Sequence, residues 1–184
     1  MADLRVATRC AWRRGFDDTA HRRMGRVARD RGIKRPLRRL RPPMTELTMA
    51  AADREAFLAE PRIGVLTIAR PAGKPPLASP IWYDYVDGVV VINVGRDSAK
   101  ARLAAAEGVA SLTVQSEQLP YRFVTVGGPV TVDDADDATR RRIASRYMPA
   151  DLLDGYLETG DAADMVTLRL TPATWHSNDF TKVM

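Results

Sequence analysis

Short apolar runs separated by turn residues begin near residue 62 and continue to the end of the chain. The run "RIGVLTIAR" is rich in β-branched residues and is followed by the turn sequence "PAGKP", a pattern that favours a strand. "PLASPIWYDYVDG" predicts a second strand ending in the hairpin dipeptide Asp87–Gly88, and "VVVINV" predicts a third. We expect these three strands to form a meander.

The second half of the folded region alternates helices with further strands. "SAKARLAAAEG" predicts a helix that ends at Gly108. "VASLTVQ" and "RFVTVGGPVTV" predict two strands, the second with a bend at residues 127–129. Two helices are predicted for "DADDATRRRIASRYM" and "PADLLDGYLETG", and the last strand is predicted for "MVTLRLTPATWHSN". Before the first strand, a short helix is expected at about 50–59. The pattern therefore predicts a mainly β fold, an antiparallel six-stranded barrel with flanking helices.

Charge divides the chain into two unequal parts. Residues 1–43 hold 14 basic and 4 acidic residues, a net charge of +10. Residues 44–184 have a net charge of −5, so the whole chain has a net charge of +5. The basic segment has no apolar stripe and ends at Pro42–Pro43. We expect residues 1–43 to be a basic, disordered extension and residues 44–184 to form one folded domain.

The function of the basic segment has several possible readings. Arg13–Arg14 is compatible with a twin-arginine export signal, but no apolar region follows it, so we set export aside. A transit peptide is a weaker alternative, and a nucleic-acid-binding arm acting through counterion release is another. A further reading is that Met44 is the true start and that the upstream residues are an extension.

The remaining composition predicts a protein without metal or membrane. Cys10 is the single cysteine, which excludes an internal disulfide, and His21 and His176 lack metal-ligand spacing. No run approaches the roughly 18 apolar residues of a membrane span. We therefore expect a soluble protein of the reducing cytoplasm.

The junction between the third strand and the next helix has the features of a phosphate site. The strand stops at Gly95, and Ser98 can cap the helix or donate its hydroxyl. A helix N-terminus presents unpaired N–H groups, and Lys100 can supply a charge. Arg96 and Arg102 could widen the positive patch. The alternative is that these cations form only the solvated face of a capped helix.

Residues 62–115, from "RIGVLTIAR" to "VASLTVQ", resemble the opening of the pyridoxamine 5′-phosphate oxidase-like family of split β-barrels. "PYRFVTVGGPVTV" and "MVTLRLTPATWH" resemble the following and final strands, so the resemblance covers about residues 50–178. The branch of probable F-420-dependent enzymes is the most similar. The resemblance implies a homodimer with cofactor sites at the subunit interface, and either coenzyme F-420, an 8-hydroxy-5-deazaflavin, or FMN as the cofactor.

The resemblance also implies which residues hold the cofactor. It places the phosphate of the cofactor at the strand-to-helix junction, the ribityl chain along the end of the third strand and the ring along "ASPIW". Trp82 either borders this ring or packs in the core or the dimer interface. The cofactor-binding residues implied are Ser79, Pro80, Trp82, Asn93, Val94, Arg96, Ser98, Lys100 and Arg102. The chain departs from true pyridoxamine phosphate oxidases, because Ala99 precedes Lys100 where those enzymes carry an Arg-Lys pair, and the terminal "WHSNDFTKVM" lacks their substrate motif. Vitamin B6 oxidation is therefore not expected.

The expected activity is hydride transfer from reduced F-420 to a conjugated or quinone-like small molecule. The alternatives are an FMN-dependent oxidoreductase on the same fold and a non-catalytic cofactor-binding or nucleic-acid-associated protein. No set of catalytic side chains is apparent, and hydride transfer does not require one. Tyr83, Tyr121 and Arg122 are candidate polar groups near a substrate pocket, with structural roles in the barrel or dimer as the alternative.

Overall fold

The computed structural model describes residues 44–184, and the predictions made for residues 1–43 lie outside this part. The helices are α1 (Ala51–Ala59), α2 (Ala99–Glu107), α3 (Asp137–Ser145) and α4 (Ala150–Glu158), with short 3-10 helices at Met44–Leu47, Ala162–Asp164 and Phe180–Val183. The strands are β1 (Gly64–Ile68), β2 (Leu77–Ile81), β3 (Asp84–Val86), β4 (Val89–Gly95), β5 (Val109–Gln115), β6 (Arg122–Asp134), β7 (Met165–Leu170) and β8 (Thr174–Asp179).

All eight strands belong to one antiparallel sheet. Its order is β2-β1-β5-β6-β7-β4-β3, and β8 pairs with the first half of β6. The two terminal strands of this path, β2 and β3, are consecutive in sequence and are joined by Trp82 and Tyr83 alone. The sheet therefore curls until its two ends approach each other. This confirms the predicted antiparallel barrel with flanking helices.

The strands differ from the prediction in number. Eight are present because "PLASPIWYDYVDG" divides into β2 and β3, and the last predicted strand divides into β7 and β8 around Pro172. The meander predicted for the first three strands is confirmed in its pairings, because the first half of the second predicted strand, β2, pairs with β1 and its second half, β3, pairs with β4. On its other side, β4 pairs with β7.

The hairpin predicted at Asp87–Gly88 is confirmed. Asp87 and Gly88 have φ angles of 52° and 77° and close the hairpin between β3 and β4. At residues 127–129, where the sequence predicts a bend, β6 continues in register with β5, and glycine is needed because a Cβ on Gly128 would lie 2.0 Å from the carbonyl oxygen of Thr171. Past this point β6 leaves β8 and pairs with β7.

The main core fills the inside of the curled sheet. Its fully buried side chains include Leu66, Ile92, Leu112 and Leu168 from four different strands. Helix α1 contributes Phe57 and Leu58, and α2 contributes its alanines Ala101 and Ala104. Burial of these apolar surfaces is the main stabilising contribution to the fold.

Helix α3 packs against β4. The buried side chains of Val91, Ile143 and Ala144 lie outside the main core cluster. The buried carboxylate of Asp84 fixes this helix to the barrel. Its two oxygens accept from Arg142 Nε at 2.7 Å and from Arg146 Nη1 at 2.9 Å.

Helix α4 differs from the other three helices because none of its side chains is fully buried. The ion pair between Arg141 and Asp154 at 2.8 Å holds it against α3. The ring of Tyr156 packs against Trp82, in the link between β2 and β3. In the described part of the chain no helix is long and apolar enough to cross a membrane.

The Asp84 ion pairs generate a prediction about stability. Asp84→Ala leaves two guanidinium groups without their buried partner and is expected to lower the free energy of unfolding by about 3 kcal/mol. Asp154→Ala is the matched control, since its exposed ion pair with Arg141 contributes less than about 1 kcal/mol. Urea denaturation measures both, and equal losses in the two variants would contradict the anchoring role of Asp84.

Candidate functional site

The barrel is open where β2 and β4 diverge, a region that we call the split. Strand β4 pairs with β7 over Val90–Gly95, but β3 covers only Val89–Val91 on its other side. Strand β2 pairs with β1 alone. The edge of Ile92–Gly95 that faces away from β7 and the edge of β2 that faces away from β1 therefore have no strand partner within the described chain. Such edges present N–H and C=O groups that a ligand or another chain can engage.

A cavity of about 250 Å³, which we call the split cavity, lies between these edges and is lined by Ile63, Pro80, Ile81, Trp82, Asn93 and Tyr156. A second space of about 40 Å³, the inner chamber, continues under α3 and is lined by Trp82, Asn93, Arg140, Ile143, Ala144, Tyr156 and Met165. The two spaces share three lining residues. The structure thus brings together Pro80, Trp82 and Asn93, three of the residues implied by the sequence resemblance.

The aromatic wall of the split cavity is held by the helices outside the barrel. The Trp82 indole stacks on the Tyr147 ring, with centroids 5.1 Å apart and planes 4° from parallel, and Tyr156 packs at 5.5 Å on a tilt of 51°. The Tyr147 hydroxyl lies 2.9 Å from the carbonyl oxygen of Tyr83 and accepts from the Tyr83 N–H at 3.2 Å. Burial raises the pKa of Tyr147, so this hydroxyl stays protonated.

Asn93 provides a polar group at the point where the two spaces meet. Its Oδ1 accepts a hydrogen bond of 3.0 Å from the Thr167 hydroxyl. Its Nδ2 is buried and has no hydrogen-bond partner within residues 44–184. A buried amide donor in this state is uncommon in folded proteins and is expected to find an acceptor in a bound molecule.

The strand-to-helix junction has the capping geometry that the sequence predicts. Ser98 is the N-cap of α2, and its Oγ accepts from the N–H of Ala101 at 3.2 Å. The N–H groups of Ala99 and Lys100 bond to no group in the described chain. The half-buried Lys100 side chain likewise forms no hydrogen bond or ion pair within residues 44–184. Two N–H groups and one ammonium group are therefore available to an anion.

Arg96 is occupied in holding the junction together. Its Nε donates to the carbonyl oxygen of Ala163 at 3.0 Å and its Nη2 donates to that of Met165 at 3.1 Å, while Nη1 pairs with Asp134 at 2.9 Å. Arg102 donates to the Asp97 carbonyl. We therefore assign both arginines to the structure of the loop rather than to contact with a phosphate.

Two further residues implied by the resemblance offer only their backbone. The Val94 side chain is buried in the main core. The Ser79 hydroxyl donates to the neighbouring Pro80 carbonyl at 3.3 Å, and Ser79 does not line the split cavity.

The three candidate substrate-pocket residues lie elsewhere. Tyr83 is fully buried and its hydroxyl donates to the Leu58 carbonyl at 2.8 Å, which corresponds to the structural role in the barrel given as the alternative. Tyr121 and Arg122 line an open cavity of about 430 Å³ beside the start of β6. Arg122 also lines a groove of about 590 Å³, together with Arg62. Neither residue reaches the split cavity.

Sequence reasoning did not identify Ile63, Tyr156 or Arg140 as site residues. A signal existed for Arg140, because helical spacing places it on the same face of α3 as Ile143 and Ala144. No comparable signal existed for Ile63 and Tyr156, whose positions depend on where β1 starts and where α4 folds back.

The outer face of β2, β1, β5 and β8, and of β6 as far as Pro129, carries no Asp, Glu, Lys or Arg. Residues paired directly across neighbouring strands point to the same side of a sheet. The outward row at the centre contains Val65, Thr113 and Thr125, and the two threonine hydroxyls lie 3.0 Å apart. The residues of this face around that row, which we call the uncharged face, are Val65, Thr67, Ala78, Pro80, Val109, Ser111, Thr113, Thr125, Gly127, Pro129, Thr174 and His176.

Comparison with protein-family models gave no match, and a search of curated protein sequences gave none either. Solved structures do match. The conserved hypothetical protein Rv2991 from Mycobacterium tuberculosis superposes with a TM-score of 0.61 at 19% identity, over 75% of this chain and 89% of that one. A protein described as an F420 reductase matches with a TM-score of 0.55 at 25% identity, over 66% of this chain and 94% of that one.

A third structure decides the fold. A putative pyridoxamine 5′-phosphate oxidase from Listeria innocua superposes with a TM-score of 0.52 at 15% identity, over 68% of this chain and 95% of that one. The fold is the pyridoxamine 5′-phosphate oxidase-like split β-barrel. The resemblance seen in the sequence is thereby confirmed for the fold. This split barrel is shared by a protein described as an F420 reductase and by one described as a putative pyridoxamine 5′-phosphate oxidase.

The burial of Tyr83 generates a prediction about pH. Burial raises the pKa of Tyr83, so the unfolded chain loses this proton near pH 10 while the folded chain keeps it. The stability contributed by Tyr83 is therefore present below about pH 10 and is lost as the pH rises further. Tyr83→Phe is expected to lower the free energy of unfolding by about 1 kcal/mol at pH 7, through loss of the bond to Leu58, and by less above pH 10.

Urea denaturation at pH 7 and at pH 10.5 measures this difference. The exposed Tyr121 provides the control, because Tyr121→Phe removes no buried hydrogen bond at pH 7. A difference between wild type and Tyr83→Phe that stays constant over this range would contradict the prediction.

Proposed function

We propose that the protein is an oxidoreductase that uses reduced coenzyme F-420 to transfer a hydride to a conjugated or quinone-like small molecule. The observation that carries the proposal is the split cavity, which lies between two unpaired strand edges and is followed along β4 by the capped start of α2, where the N–H groups of Ala99 and Lys100 have no partner in the described chain. An elongated cofactor with a planar ring at one end and a phosphate further along matches this order of groups.

The residues fit such a cofactor at three points. Pro80 and Trp82 offer flat apolar surfaces to a ring. The buried Nδ2 of Asn93 and the unpaired edge of β4 offer hydrogen bonds to polar atoms beside the ring. Asn93 precedes Gly95 by two residues, roughly 7 Å along an extended strand. A chain of a few atoms spans the remaining distance to the α2 N-terminus.

Lys100 and the N–H groups of Ala99 and Lys100 would hold the phosphate. A charge-assisted hydrogen bond from an ammonium group and the positive end of the helix dipole both favour it there. When bound, the cofactor supplies the hydride. The chain's own contribution is to orient the ring against Trp82 and to exclude water with Trp82 and Tyr156.

Two observations favour F-420 over FMN. One of the similar structures is described as an F420 reductase and is 25% identical over 66% of this chain. The chain also carries Ala99 in place of the arginine expected before Lys100 in the FMN-dependent oxidases. An FMN-dependent oxidoreductase on the same fold is the alternative that the binding experiment below separates.

We further propose that two copies of the chain pair through the uncharged face. Val65 and Val109 are 37% and 53% exposed in the single chain, and strands with an outward row of small, uncharged residues pack well against another sheet. Pro80 belongs both to this face and to the split cavity. Pairing through the uncharged face would therefore place part of a second subunit beside the cofactor.

Loss of Lys100 tests the phosphate site. Lys100→Ala is expected to weaken the binding of F-420 at least tenfold, because a hydrogen bond to a charged group contributes about 1.5–3 kcal/mol. Isothermal titration calorimetry with purified F-420 and with FMN measures the dissociation constants. Arg102→Ala is the matched control on the same helix and is expected to change them less than threefold.

The same titrations decide between the candidate cofactors. Binding of F-420 that is lost in Lys100→Ala, followed by hydride transfer to a quinone or enone, supports the proposal. Binding of FMN alone selects the FMN-dependent alternative. Binding of neither cofactor to the wild-type protein overturns both.

A charge placed on the uncharged face tests the dimer. Thr113→Arg introduces a guanidinium at the centre of the face and is expected to convert a dimer into a monomer, measured by analytical ultracentrifugation. Glu107→Arg, at the exposed end of α2, is the control and should leave the dimer intact. A wild-type protein that sediments as a monomer at micromolar concentration would refute the pairing.

A further inference from the structure

The uncharged face contains a single histidine, His176, and no Asp, Glu, Lys or Arg. Histidine is the side chain that ordinarily changes its charge between pH 8 and pH 5. The whole chain has only two histidines, His21 and His176. A change from neutral to mildly acidic pH can therefore add charge to this face at one position.

The His176 side chain points outward from β8. Its neighbours in the strand turn inward, since Trp175 packs against the main core and Ser177 is buried. His176 itself is exposed and lies directly opposite Thr125 of β6. Its ring centroid is 5.4 Å from that of Phe123, with a tilt of 50° between the rings. The imidazole therefore ends the central row of the uncharged face, against an aromatic ring.

No charged group of the surrounding elements pairs with His176. The core side of β6 and β8 carries Arg54, Arg122 and Asp179, which the sheet separates from the imidazole. Beyond the strand ends and beside β8 lie Glu46, Glu117, Tyr121 and Lys182. The described part of the chain contains no ion pair to His176. A positive charge on this imidazole thus has no partner in its own subunit.

We propose that protonation of His176 controls the pairing of two copies through the uncharged face, so that the dimer forms at neutral pH and dissociates in acid. The inference rests on the pairing proposed above and adds its regulation. A symmetric interface contains the same residue from both copies, so acid introduces two imidazolium groups into one dimer. The face offers neither of them a carboxylate, and transfer of an unpaired cation from water into an interface is strongly disfavoured.

The direction of the pH effect follows from the difference in proton binding between the two states. Separated subunits expose His176 to water, which solvates the imidazolium, whereas the paired state favours the neutral ring. The monomers therefore bind more protons than the dimer, and the dimer loses stability as the pH falls. Because Pro80 belongs to both the uncharged face and the split cavity, acid would also remove the second subunit from beside that cavity.

The competing explanation is that His176 lies at the solvated rim of the interface. Strand β8 pairs with β6 alone and forms one border of the face. A charge at a wet rim affects the rate of association more than the stability of the complex. In that case the dissociation constant of the dimer would change less than threefold with pH.

Sedimentation equilibrium of the full-length protein without cofactor measures this dissociation constant at about pH 8 and about pH 5.5, where Asp and Glu side chains ordinarily stay ionised. We expect it to rise at least tenfold in acid. A change of less than threefold overturns the inference and leaves the pairing in place. A wild-type protein that is monomeric at both pH values overturns the pairing and the inference together. Neither result affects the cofactor titrations, which test the oxidoreductase separately.

His176→Gln removes the titratable ring from the face. We expect this variant to pair as the wild type does at pH 8 and to change its dissociation constant less than threefold in acid. His21→Gln is the matched control, because it removes the other histidine of the chain and should keep the full pH response. A response that persists in His176→Gln, or one that disappears in His21→Gln, overturns the inference.

Two further substitutions separate charge from packing. If His176→Gln weakens pairing at pH 8, His176→Phe decides, because it keeps an aromatic ring against Phe123 and cannot take up a proton. We expect it to pair at both pH values, and a pH response in this variant overturns the inference. His176→Lys carries a permanent charge and is expected to raise the dissociation constant at least tenfold already at pH 8. Glu107→Lys, at the exposed end of α2, is its control and should not, and pairing of His176→Lys as tight as in the wild type overturns the inference.

Discussion

The need to satisfy backbone hydrogen-bonding groups determines how this molecule is arranged. Strand β4 is paired on both sides only as far as Val91, and from Ile92 onward one of its edges has no strand partner. The opposite edge, that of β2, is in the same state. A curled sheet could close by joining these edges, but Trp82 occupies the position between them. The groups left unpaired by this incomplete closure are the reason that the split can hold a ligand.

Elements outside the barrel keep the split in this shape. Asp84, at the start of β3, is bound by two arginines of the α3 region, and Tyr147 from the end of that region bonds to the backbone of Tyr83. Both contacts are made by the two residues that directly follow Trp82 in sequence. The indole is therefore positioned by tertiary ion pairs and hydrogen bonds rather than by regular strand pairing, and the cavity wall it forms depends on α3 being docked.

Local features were predictable from sequence because they depend on neighbouring residues. The Ser98 cap and the Asp87–Gly88 turn are determined by residue types within four positions. The pairing of β4 with β7 joins residues 70 to 80 positions apart, and the division of the second predicted strand into β2 and β3 was not predicted because hydrophobic pattern alone does not show where a strand changes partner. For the candidate site, Pro80, Trp82 and Asn93 were implied by resemblance, whereas the engagement of Arg96 and the burial of Tyr83 depend on distant carbonyl groups.

Helix α4 carries no fully buried side chain, yet its Tyr156 lines both the split cavity and the inner chamber. The free energy needed to detach an element locally scales with the apolar surface that it buries, so this helix is the least costly part of the wall to displace. The molecule therefore combines a rigid floor, made of core strands, with a weakly held cover. Entry and departure of a bound molecule can proceed by outward movement of α4, without opening of the barrel itself.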